Sequence, residues 1–136
     1  MLREAEPWRL PEESLRLLDE VAARIQPDDR ALDSWFTHYC REHRGRLAGD
    51  LRIVEQRLQP GARVLEDGAV PLLMTAALAG LEYEVSALDV GPERFSKAIA
   101  ELGLDVVRCD VETEPAPFAD DTFDAVLFSE LFEHLR

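Results

Sequence analysis

The sequence predicts an α/β fold, a parallel sheet of four strands preceded by a helical segment. Three observations carry that prediction. Up to residue 60 apolar side chains recur at spacings of three and four; from residue 63 short β-rich runs alternate with helical ones; and prolines and glycines stand where those runs begin and end. Strands alternating with helices of this length are the pattern of βαβ units, whose crossovers force neighbouring strands to run parallel.

Residues 12–26 set Leu15, Leu18, Ala22 and Ile25 on one stripe, with Glu12 and Glu13 in the first turn, where the helix dipole favours acids, and Pro27 as the stop. After the Asp28-Asp29 turn, Trp35, Phe36, Tyr39, Cys40 and His43 keep the helical period, and Leu47, Leu51, Val54 and Leu58 extend it to Pro60-Gly61. Gly45 either divides this stretch into two helices or merely weakens one. Strands are expected at 63–66, 84–88, 105–109 and 123–128, with helices near 71–80 and 93–102. Pro71 and Pro92 suit first-turn positions, and Gly80 and Gly103 suit the opposite caps. The run Ala125-Val126-Leu127-Phe128 predicts a strand covered on both faces. Residues 1–60 are thus expected to form a helical cap, and residues 61–136 the first half of an α/β domain. The last strand has no successor before Arg136, so a longer protein, a second copy or another chain is expected to complete the sheet and cover its edge.

Composition narrows the function. The 136 residues carry a net charge of −13 with 46% hydrophobic and 32% charged side chains, the profile of a soluble globular protein with a core. Charge is uneven: residues 1–62 hold 10 basic and 12 acidic side chains, residues 63–136 hold 5 and 16. The second half would repel a duplex nucleic acid, and Arg41, Arg44, Arg46, Arg52 and Arg57 in the first half read as a solvated helical face. No apolar run is long enough to span a membrane, and MLREAEPWRL lacks the apolar stretch of a signal peptide, so a cytoplasmic protein is expected. Cys40 and Cys109 lie far apart without a CxxC, which reads as two buried free thiols.

In an open parallel sheet ligands bind outside the carboxyl ends of the strands. Those ends read Glu66-Asp67-Gly68, Asp89, Cys109-Asp110-Val111 and Ser129-Glu130. Acids before helices are common caps, but their recurrence at successive strand ends points to a site. An acid after the second strand can accept both hydroxyls of a ribose, which makes Asp89 the foremost candidate. The first loop, Gly68 to Leu73, lacks the GxGxxG through which backbone approaches a pyrophosphate, and Val70 and Leu72 carry side chains there. NAD and FAD are therefore disfavoured. A cationic ligand with adenosine and no phosphate suits this acidic rim better.

At these residues the chain resembles the class I S-adenosylmethionine (SAM)-dependent methyltransferases, over about residues 61–136. PGARVLEDGAV is similar to the family's first motif, which implies that Glu66 and Gly68 contact the methionine part of the cofactor. SALDVGPERF is similar to the second, which implies Asp89 at the ribose and Val90 beside the adenine. RCDVETEPAPFADDTFDAVLFSELFEHL resembles the later motifs, placing Asp110 and Val111 at the adenine edge and Ser129 and Glu130 on the methyl-transfer side. The resemblance implies a Rossmann-like sheet of the methyltransferase type, of which four strands are expected here and three are missing. It also implies SAM as cofactor and a small-molecule acceptor, with the helical first half over the pocket. The chain departs from the family in its loop, where Gly68-Ala69-Val70-Pro71-Leu72 replaces GxGxG and Asp67 adds an acid.

Glu130, Glu133 and His134 fall at i, i+3 and i+4, one face of a helix. Carboxylates with imidazole can bind a divalent metal, but three ligands do not complete a site, and no metal is expected. Glu130 or His134 would instead serve as base where the acceptor must lose a proton. Trp35, Phe36 and Tyr39 read as core, and His38 and His43 as packing or surface. The alternative function is a non-catalytic or split methyltransferase-like subunit that needs a partner chain.

Overall fold

The computed structural model describes residues 12–128. Helix α1 spans Glu12–Arg24, and helix α2 spans Asp33–Arg57 after a 3₁₀ turn at Arg30–Leu32. Gly45 divides nothing: α2 runs unbroken for 25 residues. Packing of Phe36, Leu47, Ala48, Leu51 and Val54 into the core outweighs the roughly 1 kcal/mol that an interior glycine costs a helix.

Strand β1 (Arg63–Asp67), helix α3 (Leu73–Gly80), strand β2 (Glu84–Asp89), a 3₁₀ turn at Pro92–Phe95, helix α4 (Ser96–Leu102), strand β3 (Asp105–Arg108) and strand β4 (Ala125–Leu127) follow. The strands pair parallel in the order β3-β2-β1-β4, so β1 and β2 are central and the sheet has the expected Rossmann-like form. Gly103 closes α4 in the left-handed conformation at φ 62°, as a helix cap requires. Two smaller expectations are corrected. Gly80 is the last helical residue and Leu81 the cap, while Pro71 lies before its helix, after a cis Val70-Pro71 bond and ahead of a left-handed Leu72.

Alternation along the strands sorts their side chains onto two faces. Val64, Ala87, Val106 and Leu127 join the main core beneath α1 to α4, whose centre holds Leu51, Leu72, Leu78 and Phe95. Leu65, Leu88 and Cys109 form a second, small cluster on the opposite face, under Phe118 and Phe123. β4 is not covered on both faces as its composition predicted. Among the described residues it is an edge strand, with Val126 47% and Phe128 42% exposed. Trp35 is likewise not core but 40% exposed, whereas Phe36 beside it is buried. Cys40 is half-buried and Cys109 buried, both as free thiols. No helix among the described residues is long and apolar enough to cross a membrane.

Candidate functional site

Parallel strands deliver all their carboxyl ends to one edge of the sheet. There the register sets Glu66 opposite Ala87, Asp67 opposite Leu88 and Asp89 opposite Arg108. Glu66 follows Val64 onto the helix-covered face, and Asp67 follows Leu65 onto the other.

Glu66 is 3% exposed, and the Thr75 hydroxyl of α3 donates to its Oε2 at 2.5 Å. Burial pushes its carboxyl up to about 8 against the Thr75 bond, and the neighbouring Asp89 and Asp67 push the same way. At neutral pH it therefore keeps its proton. Asp67 is also buried, and desolvation followed by repulsion from Asp89 raises its carboxyl too.

Asp89 works as a clasp. Its Oδ2 accepts from the Val70 N–H at 2.9 Å and its Oδ1 from the Gly91 N–H at 2.8 Å, which ties the loop after β1 to the turn after β2. The N–H groups of Gly68 and Ala69 both donate to the Leu88 carbonyl, at 2.9 and 3.0 Å. Gly68 reaches that geometry at φ 81°, a conformation that costs glycine least. The glycine-poor loop is thus held by backbone bonds to β2. Leu72 turns into the core and is fully buried, so it does not obstruct the sheet edge; Val70 is half-buried.

Other predicted residues stand apart from this group. Asp110 caps its own turn: its Oδ1 accepts from the Glu112 N–H at 3.1 Å and its carbonyl from the Glu114 N–H at 2.8 Å. Val111 packs half-buried against the small cluster, and Val90 is 59% exposed. The sheet edge therefore gathers Glu66, Gly68 and Asp89, with Asp110 and Val111 after the neighbouring strand. Ser129, Glu130, Glu133 and His134 lie outside the described residues. Among the described residues no three His, Cys, Asp or Glu side chains form a group that could hold a metal.

Two partners escaped the sequence reading. The signal that could have found Thr75 is its place as the single hydroxyl in the apolar run LMTAALAG. Asp28, taken for a turn residue, accepts from the Ser96 hydroxyl and from the Lys97 N–H at the start of α4. Hydrogen bonds from that hydroxyl and amide hold its carboxyl below the usual range.

A family model described as a methyltransferase domain matches residues 65–136, just over half of the chain and the part that carries these strand ends. Neither the curated proteins nor the solved structures contain a match to it. The parallel sheet and the matched segment agree, and the chain belongs to the class I SAM-dependent methyltransferase domain family.

Proposed function

We propose that this chain is a SAM-dependent methyltransferase acting on a small-molecule acceptor. The observation that carries the reading is the convergence of Glu66, Gly68 and Asp89 on one sheet edge inside the family-matched segment. The residues present fit the cofactor. The buried acids Asp67 and Asp89 suit a ligand bearing a sulfonium and an ammonium group, the protonated Glu66 beside them still offers oxygen acceptors, and each Asp89 oxygen retains a lone pair for a ribose hydroxyl. Bound S-adenosylmethionine supplies a methyl group on a sulfonium, an already activated leaving group. Glu66 and Gly68 hold its methionine part and Asp89 its ribose, while Val90, Asp110 and Val111 border the adenine. The protein's remaining work is to align donor and acceptor and to exclude water. The family resemblance assigns Ser129 to the transfer side, and Glu130 or His134 would take a proton where the acceptor must lose one.

Calorimetric titration with SAM tests this. The expected result is saturable binding to the parent chain that Asp89→Ala abolishes while circular dichroism shows the variant folded. Binding of equal strength to both overturns the assignment of Asp89.

A second reading, a non-catalytic or split subunit completed by another chain or a second copy, is favoured by the exposed Val126 on β4, an edge strand among the described residues. Absence of SAM binding, together with association in light scattering, would select it.

A further inference from the structure

Among the described residues two aromatic side chains are exposed, Phe128 just after β4 and Trp35 in the first turn of α2. The place of Trp35 follows from the course of α2. At the C-terminal end of this helix the Tyr83 hydroxyl, just before β2, donates to the Leu58 carbonyl at 3.1 Å. The first turns of α2 therefore lie toward the opposite edge, where the strands end. The preceding segment is fastened there as well: the Asp28 N–H donates to the Arg94 carbonyl at 2.9 Å, and the Asp28 carboxylate accepts from Ser96 and Lys97. Phe95, fully buried between these bonds, meets the rings of Phe36 and Trp35 at centroid separations of 5.9 and 6.4 Å.

The two neighbours part company at that point. Phe36 is buried, whereas Trp35 is fixed by Phe95 on one side and Tyr39 at 5.7 Å on another and still leaves 40% of its surface to solvent. A single 3₁₀ turn, Pro92–Phe95, separates its partner Phe95 from Asp89-Val90-Gly91, and Val90 is exposed too. An indole already immobilised by ring contacts loses little rotamer freedom when a second ring stacks on it. The carboxylates of Asp28, Asp29, Asp33 and Asp89 lie in or beside these segments, which disfavours an anionic ring.

We infer that Trp35 is a stacking wall for a neutral or cationic planar ring bound beside the Asp89 turn. The inference rests on the proposed cofactor site and adds a residue that the family match, which begins at residue 65, does not reach. Two rings share this chemistry, the adenine of the cofactor and an aromatic acceptor.

The chain has two tryptophans, so Trp8→Phe leaves Trp35 as the only indole. In that background its emission is followed during titration with adenosine, with S-adenosylhomocysteine, and with catechol in the presence of saturating S-adenosylhomocysteine. The expected result is a saturable quench at the concentrations where calorimetry reports binding. Trp35→Ala weakens that binding roughly three- to tenfold, and Trp35→Phe restores most of it. A response to adenosine assigns the wall to the nucleobase; a response to catechol alone assigns it to the acceptor. An unchanged emission with all three probes overturns the proposal, as does a Trp35→Ala variant that binds as tightly as its parent. Heat from S-adenosylhomocysteine without any emission change refutes the wall and leaves the cofactor reading standing. Emission changes with catechol or adenosine but no heat from S-adenosylhomocysteine do the reverse.

Discussion

The two faces of the sheet are built to different depths. Among the described residues the main core under α1 to α4 gathers 20 buried residues, whereas the opposite face gathers three, Leu65, Leu88 and Cys109. Over those three stand Phe118 and Phe123, packed edge-to-face at 4.9 Å. The thick face does more than stabilise the fold. Burial beneath α3 is what keeps Glu66 protonated at the lip of the sheet, and α3 also brings the hydroxyl that this acid accepts from. The thin face leaves the strand at its margin, β4, half open. The burial that raises Glu66 and most of the buried core therefore share one side, and association, where it occurs, has the other to use.

The largest test of that contrast is a pair of truncations. Phe95→Ala empties a fully buried aromatic position on the thick face and should cost about 3–5 kcal/mol in denaturant unfolding. Val126→Ala on the thin face should stay within about 0.5 kcal/mol. Similar losses at the two positions would show that β4 is packed after all. Val126→Glu should leave stability alone but lower the mass seen by light scattering at high concentration, if the edge is where copies or partners meet.

A second effect on the thick face depends on pH. The folded chain holds the Glu66 proton up to about pH 8, whereas the unfolded chain releases it near the ordinary value of 4.5. Stability from this group is therefore complete below about pH 4.5 and is lost as pH rises toward 8, by at most about 1.4 kcal/mol per unit. Glu66→Gln keeps an acceptor for Thr75 but cannot ionise. Its denaturation midpoint should vary less with pH between 5 and 9 and exceed the parent's at pH 9. Parallel pH profiles in the two proteins would place the ionisation elsewhere.

The thick face was the more legible in sequence. Regular periods in α1 and α2 mark their buried sides, and the β-rich runs locate all four strands to within two residues at each end. The placing of Glu66, Gly68 and Asp89 at one sheet edge was legible because parallel strands bring their carboxyl ends together. Other features depend on distance in three dimensions. Nothing local distinguishes Trp35 from Phe36, one turning outward and the other inward, because adjacent helical positions differ by 100° and the helix's placement decides which is covered. β4 misled for a related reason: an unbroken apolar run reads as covered on both faces, but the covering must come from elsewhere in the fold. The Asp89 clasp was hidden because its partners are backbone amides, which every sequence possesses.

The smallest effect is expected on the outer surface of the thick face. Arg44 of α2 donates through Nε and one terminal nitrogen to both carboxylate oxygens of Asp19 on α1, at 3.0 and 2.7 Å. The geometry is bidentate, and the pair joins two helices 25 residues apart in sequence. Both side chains are nevertheless about half exposed, so water and salt screen the attraction and ordering two long side chains opposes it. A double-mutant cycle with Arg44→Ala and Asp19→Ala should give a coupling below about 1 kcal/mol that shrinks as salt is raised to 1 M. A coupling of several kcal/mol that ignores salt would mean that the α1–α2 contact is held by charge. The apolar burial of Leu18, Val21, Leu47 and Leu51 would then no longer be its main support.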